Sequence, residues 1–157
     1  MPAPLSLPVR RRYPPAPLLG VATAVWRDDT VLLVKRAVAP NAGTWAMPGG
    51  LVELGERLEE AARREVLEET TVRPGPLRFM RFHEIILRDG DGGVERHFVL
   101  AFFAARWADG EARAGDDAAD ARWCDEAALE TLPLTGNTRA LVRKSRLLLA
   151  PTAGQAD

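Results

Sequence analysis

Apolar residues follow two rhythms along this chain. Leu18 to Trp26 and Thr30 to Lys35 are nearly continuous apolar segments, and Val31-Leu32-Leu33-Val34 is unbroken. Short runs of this kind, bounded by turn residues such as Arg27-Asp28-Asp29, read as strands of a buried sheet. Pro40 to Gly43 forms a loop, Thr44 to Met47 is short and extended, and Pro48 forces a turn that Gly49 and Gly50 complete. Pro74-Gly75-Pro76 breaks the chain. Leu77 to Arg88 and Val94 to Trp107 then read as two long strands, joined into a hairpin by Asp89 to Gly93. Asp109 to Ala119 is an acidic loop and Ala121 to Cys124 a short strand. The helical rhythm predicts a helix of about three to four turns ending near Val72. It also predicts a short helix over Asp125 to Leu132, capped by Asp125, and a last helix over Thr135 to Leu149 with Leu141, Val142, Ser145, Leu148 and Leu149 in one stripe. Strands mixed with helices make this an α/β layered domain.

The helix before Val72 has an unusual distribution of charge. Set Glu65 at zero and step 100° per residue. Leu58 then falls at roughly +20°, Ala61 at −40° and Ala62 at +60°, and these small and apolar residues define the inward face. Glu68, at about −60°, and Glu69, at about +40°, fall on the same face, whereas Glu59, Glu60 and Arg63 fall opposite. A solvated surface helix accounts for Glu59 and Glu60, which sit in the first turn where the helix dipole favours negative charge. It does not account for Glu65, Glu68 and Glu69. These approach the unfavourable C-terminal end, repel one another at i, i+3 and i+4, and face a partly buried region. Crowded carboxylates there call for a compensating cation, and oxygen-only ligands suit a hard divalent ion such as Mg²⁺ or Mn²⁺.

The same stretch resembles the signature of the Nudix hydrolases. Gly50, Glu56, Arg64-Glu65, Val66, Glu68-Glu69 and Val72 occupy its positions, and Trp45-Ala46-Met47-Pro48-Gly49 resembles the family's lead-in. Every position of the signature matches except one, and a second residue outside its fixed positions is also unusual. Thr71 stands where the family has glycine, and the expectation is that it keeps an ordinary negative φ, with the helix exit reshaped. Arg57 stands where a Ser or Thr cap is common, which would weaken the helix start by around 1 kcal/mol.

The resemblance implies a Nudix-type α/β/α sandwich with a mixed β-sheet. It implies metal-dependent hydrolysis of the pyrophosphate bond in a nucleoside diphosphate linked to another moiety. Glu65, Glu68, Glu69 and the carbonyl of Gly49 would be metal ligands, with the alternative that one of the glutamates, Glu68 being favoured, instead orients or deprotonates water. Arg64 would hold a ligand carboxylate in place. Glu56 would either pair with Arg64 or ligate a further ion. The family commonly adds an acid from the loop before a Trp-bearing strand. Trp123 marks that strand here, and Asp117 is chosen over Asp116 and Asp120. Trp45, Glu84 and Asn137 are candidate substrate contacts, with core packing open for Trp45 and helix capping for Asn137. His83, His97 and Glu95 lie in the long strands as weaker candidates. ADP-ribose-like substrates are favoured. The alternatives are a (d)NTP pyrophosphohydrolase acting on oxidised or non-standard nucleotides, and a catalytically silent nucleotide-binding regulator.

Composition changes this picture little. The 157 residues are 46% hydrophobic and 27% charged, with a formal net charge of −1. That size suits a single domain, assigned here to residues 18–149, and that charge gives no whole-molecule attraction to nucleic acid polymers or membranes. Cys124 is the only cysteine, so there is no intrachain disulfide. With no apolar run long enough to span a membrane and no secretory segment, a cytoplasmic protein is expected, with a small-molecule nucleotide as partner and a homodimer allowed for. Residues 1–17, rich in proline and carrying Arg10-Arg11-Arg12, form an extended arm. A disordered tail is the expectation for it, and a partner-binding or substrate-covering arm the alternative. Residues 150–157 are expected to fray.

Overall fold

The computed structural model describes residues 9–38, 41–115 and 117–151. An eight-stranded sheet is organised around β1 (Leu18–Arg27). One edge of β1 pairs in parallel with β7 (Val94–Asp109) from Leu18↔Phe98 to Trp26↔Arg106. Its other edge is shared. β4 (Gly49–Leu51) pairs antiparallel at Gly20 to Ala22, and β2 (Thr30–Arg36) at Trp26 and Arg27. The sheet therefore forks between β2 and β4. β2 leaves the fork to pair with β3 (Trp45–Ala46) and β8 (Ala118–Cys124), both antiparallel. Beyond β7 lie β5 (Arg73–Pro74) and β6 (Arg78–Arg88), the latter forming the expected hairpin.

Helices cover both faces, which explains the unbroken apolar runs. Side chains alternate across a strand. In β1, Ala22, Ala24 and Trp26 pack with Leu129 of α2 (Glu126–Thr131) and with Leu141 and Val142 of α3 (Thr138–Leu149). Val21 and Val25 point the other way, toward Ala61, Ala62 and Val66 of α1 (Leu58–Thr70). β2 does the same, with Val31 and Leu33 on one side and Leu32 on the other. Trp26 Nε1 donates to Ser145 Oγ at 2.8 Å, so the α3 layer is also tied to the sheet through a buried polar contact. The fold is the expected α/β/α sandwich with a mixed sheet. No helix among the described residues is long and apolar enough to cross a membrane.

Several boundaries differ from the sequence reading. β4 and β5 are additional strands. Pro74 does not break the chain but pairs with Trp107, at an irregularity where its missing N–H is tolerated. The acidic loop is shorter because β7 runs to Asp109 and β8 begins at Ala118. α1 lacks a Ser or Thr cap, yet the N–H of Arg57 donates to Glu60 Oε2 at 2.9 Å, which supplies half of a capping box.

Thr71 overturns its expectation. It sits at φ 61°, in the left-handed region, as the C-cap of α1. The helix exit keeps the geometry that glycine normally serves. Two contacts hold it there: its N–H donates to the Leu67 carbonyl at 2.9 Å, and its Oγ1 donates to the Glu111 carbonyl at 2.6 Å. The same loop continues over the helix end, where Arg113 N–H donates to Thr70 O and Gly115 N–H to Glu69 O, each at 2.9 Å. The orphan carbonyls of Glu69 and Thr70 are thus satisfied by the loop that leads to Asp117.

The N-terminal arm is described from residue 9, and it is docked. Tyr13 N–H donates to the Glu95 carbonyl at 2.7 Å, Tyr13 OH to Asp89 Oδ2 at 2.8 Å, and Arg12 Nε to Glu95 Oε1 at 2.7 Å. The disordered-tail expectation therefore fails for this stretch. The first eight residues, residues 39–40 at the start of the expected Pro40 to Gly43 loop, Asp116 and residues 152–157 lie outside the described residues.

Candidate metal and diphosphate site

The glycine turn and α1 build the site together at the fork of the sheet. Gly49 and Gly50 lie where no side chain fits. A Cβ on Gly49 would overlap the Val21 carbonyl oxygen, and one on Gly50 would overlap the Glu65 carboxylate. Close approach, not a positive φ, demands glycine at both positions. The carboxylates of α1 can therefore lie directly against the β4 backbone. Gly49 N–H donates to Glu69 Oε2 at 3.1 Å.

Glu65, Glu68 and Glu69 line one cavity of about 190 Å³ with Gly49, Gly50 and Asp117. They do not line it equally. Ala61, Ala62, Val66 and Thr70 are the buried residues of α1, which centres the inward face near +60° on the 100° wheel. Glu69 lies close to that centre, Glu65 beside it and Glu68 at its margin. Burial pushes the Glu69 carboxyl up to about 7, opposed by the Gly49 N–H and reinforced by the nearby charges of Glu65 and Asp117. Burial also raises Glu65, against the pull of Arg64 and, more weakly, of Arg11. The Glu65 side chain is 13% exposed and that of Glu68 43%.

Arg64 is the hub beside the cavity. Its Nε donates to Glu56 Oε1 at 2.6 Å and its Nη2 to Glu56 Oε2 at 3.0 Å, a bidentate pair. Nη1 reaches Glu65 Oε1 at 2.8 Å and Glu68 Oε2 at 3.1 Å, and Nη2 also reaches the Leu51 carbonyl at 3.0 Å. Glu56 accepts further from the Glu53 N–H at 2.9 Å. Arg64 holds the Glu56 carboxyl below its usual range. Of the two roles left open for Glu56, the arrangement places it in the pair with Arg64.

Asp117 is brought in by the loop anchored on α1 at Gly115 and by its own carbonyl, which accepts from the Ala37 N–H at 3.3 Å. Asp120 turns away and bonds Arg122 Nε at 2.7 Å. Trp45 is 3% exposed and packs in the core on the α2–α3 side, so its ring cannot stack on a base. Glu84 is exposed on β6, His83 packs near Phe102, and Glu95 is used by the arm; none of them lines the cavity, nor does His97. Asn137 holds the N-cap position of α3, but its side chain makes no capping bond, and it too lies off the cavity. Cys124 is buried, as expected. Three cations also line the cavity: Arg11, from the arginine run of the arm, and Lys35 and Arg36, which carry no motif signal. The only hint of the last two is their place, immediately after the apolar run of β2.

The donor set fits a hard divalent cation, being carboxylate and backbone oxygen around a space large enough to hold it and a bound group. Among the described residues no three acidic side chains form a ready-made cage. Glu65 and Glu68 are turned to Arg64, and Glu69 to the Gly49 N–H, which is how mutually repelling carboxylates settle around protein donors.

A family model described as the NUDIX domain matches residues 16–144. The chain belongs to the Nudix family. Nudix hydrolases generally use divalent metals. The chain is 37% identical over 117 residues to the ADP-ribose pyrophosphatase of Methanocaldococcus jannaschii, covering 74% of this chain and 65% of that protein. It is 45% identical over 69 residues to a MutT-like protein of Streptomyces ambofaciens, 44% of each chain. The chain thus spans less than two thirds of the length of these relatives. A crystal structure of a MutT NUDIX hydrolase from Burkholderia pseudomallei superposes with a TM-score of 0.69 at 31% identity, over 82% of this chain and 97% of that one. The NUDIX domain of Shewanella oneidensis NrtR, in complex with ADP ribose, superposes with a TM-score of 0.72 at 26% identity, over 86% and 90%.

Proposed function

We propose that this Nudix protein hydrolyses the pyrophosphate bond of a nucleoside diphosphate linked to another moiety, with ADP-ribose-like molecules as the substrate class. The observation that carries the reading is the convergence of Glu65, Glu68 and Glu69 on one cavity against the Gly49-Gly50 backbone. The substrate class is supported by the Methanocaldococcus jannaschii relative named ADP-ribose pyrophosphatase and by the ADP ribose in complex with the structurally similar NUDIX domain.

Glu65, Glu69 and the Gly49 carbonyl would hold Mg²⁺ or Mn²⁺, with Asp117 adding a carboxylate from the facing loop and Glu68 left for the water. Once bound there, the ion would supply positive charge to hold the diphosphate and to offset the charge that develops on it. The protein's own groups do the rest. Arg64 fixes the rotamers of Glu65 and Glu68 while Glu56 fixes Arg64, so the carboxylates are oriented before substrate arrives. Glu68, the most exposed of the three, orients the attacking water and accepts its proton. The water oxygen bonds to one phosphorus, the bond from that phosphorus to the bridging oxygen breaks, and two phosphate monoesters leave. The proton on Glu68 is returned to solvent.

The deciding measurement is hydrolysis of ADP-ribose, sugar nucleotides, dinucleoside polyphosphates and (d)NTPs by the purified protein with Mg²⁺ or Mn²⁺. Turnover of ADP-ribose to AMP and ribose 5-phosphate is expected to lead. Preferential release of pyrophosphate from (d)NTPs would replace this reading with triphosphate hydrolysis. Nucleotide binding without turnover would replace it with a regulatory domain.

A further inference from the structure

We propose that Arg11, carried to the cavity by the docked N-terminal arm, binds the phosphate oxygens of the nucleoside diphosphate. The inference rests on the substrate reading above and adds a residue from outside the family signature.

The arm is held in a conformation it would not adopt alone. Tyr13 lies at φ 50°, a left-handed conformation unusual for a bulky residue, which persists only where the surroundings hold it. They do so through the Glu95 carbonyl and the Asp89 carboxylate, and Arg12 adds its bond to Glu95 while its guanidinium lies 5.4 Å from the Tyr13 ring centroid. Asp89 is itself fixed by the hairpin turn, accepting from the N–H groups of Asp91 at 3.0 Å and Gly93 at 2.8 Å. Pro14, Pro15 and Pro17 restrict the chain between this anchor and β1. The arm is therefore clamped at residues 12–13, immediately beside Arg11.

The consequence of the clamp is a division of labour within the arginine triplet. Arg12 is consumed by Glu95. Arg11 lines the cavity with the three α1 glutamates and Asp117, is exposed, and makes no hydrogen bond or salt bridge with any described residue. Its planar fork of donors is left for an incoming group, and that fork matches phosphate oxygens. A diphosphate entering a cavity lined by four carboxylates needs cations beyond a metal those carboxylates already surround. Arg11 meets that need from the arm. Arg10 carries the same charge one residue away without lining the cavity, which makes it the control.

The test is calorimetric binding of α,β-methylene-ADP, a nucleoside diphosphate with a non-hydrolysable bridge, in saturating Mg²⁺. Arg11→Ala is expected to weaken binding by about tenfold, the scale of one charged bidentate contact. Arg11→Lys should recover part of the loss, and Arg10→Ala should stay within about twofold of the unaltered protein. A double variant, Arg12→Ala with Tyr13→Phe, should weaken binding with Arg11 intact, because the arm is unpinned. Binding unchanged in Arg11→Ala, equal losses in Arg10→Ala and Arg11→Ala, or no binding by the unaltered protein would each overturn the proposal. An unaffected double variant would overturn the clamp. Failure of the unaltered protein to hydrolyse ADP-ribose, measured separately, would remove the substrate reading while leaving these binding ratios to decide Arg11.

Discussion

The backbone N–H of Gly49 donates to Glu69 Oε2 across 3.1 Å, joining the glycine turn to the most inward carboxylate of α1. Without a cation, that single donor does not offset burial, and the Glu69 carboxyl stays pushed up to about 7 from its ordinary 4.5. A carboxyl raised on folding contributes stability that is present below its unfolded pKa and lost as pH rises through its folded pKa. In EDTA, the melting temperature is expected to fall between about pH 5 and pH 8, with Glu65 adding in the same direction. Saturating Mg²⁺ should reverse the slope, because the cation needs the ionised carboxylates. Glu69→Gln should flatten most of the metal-free slope. An unchanged slope in that variant, followed by thermal melting across pH, would remove Glu69 as its source.

The two populations of glutamate on α1 should separate kinetically. Glu68→Gln or Glu69→Gln is expected to lower kcat by at least about a hundredfold, the scale for loss of one charge-stabilising group. Glu59→Gln, exposed on the far side, should leave it nearly unchanged. Asp117→Asn should give a smaller loss that shifts with Mg²⁺ concentration, since its exposed carboxylate joins from a loop. Equal losses at Glu59 and Glu69 would sink the inward-face argument, and a metal titration unmoved by Asp117→Asn would take Asp117 out of the site.

Neighbouring glycines should fail in different ways. An added Cβ at Gly50 meets the flexible end of Glu65, whereas at Gly49 it meets the backbone of Val21 and Ala22. Gly50→Ala is therefore expected to keep its melting temperature within a few degrees while losing at least about tenfold in activity, because a displaced ligand costs that much. Gly49→Ala should be strongly destabilised, since rigid backbone cannot yield. Thermal melting and steady-state rates on both variants check this; the reverse order of stabilities would refute it.

Thr71 should reveal how a β-branched residue is kept at a glycine position. The left-handed conformation costs about 1–2 kcal/mol, and the hydroxyl bond to Glu111 O returns about 1 kcal/mol. Thr71→Gly loses both terms and is expected to be near neutral. Thr71→Val keeps the strain, loses the bond and should cost about 1 kcal/mol or more. Urea unfolding gives both values, and equal values for Gly and Val would exclude the hydroxyl as the compensating contact. Activity should survive in both variants, because Thr71 does not line the cavity.

The long strands, the α/β class and the inward glutamates were legible from local periodicity, whereas the three- and two-residue strands β4 and β5 are too short to carry a period. An unbroken Val31 to Val34 run means a strand covered on both faces, and a carboxylate on a helix face lined with alanine must face the domain whatever lies opposite. How far inward each glutamate faces depended on packing across the sheet. Val66 and Thr70 turn the buried face toward Glu69 and leave Glu68 at its edge. Tertiary packing also decided that Trp45 packs in the core, that Thr71 is held left-handed by a carbonyl forty residues away, and that Arg11 reaches the cavity by way of Tyr13 and Asp89. Each of these depends on contacts between segments distant in sequence. Such contacts leave no local period, so they become legible only when the sheet has brought the segments together.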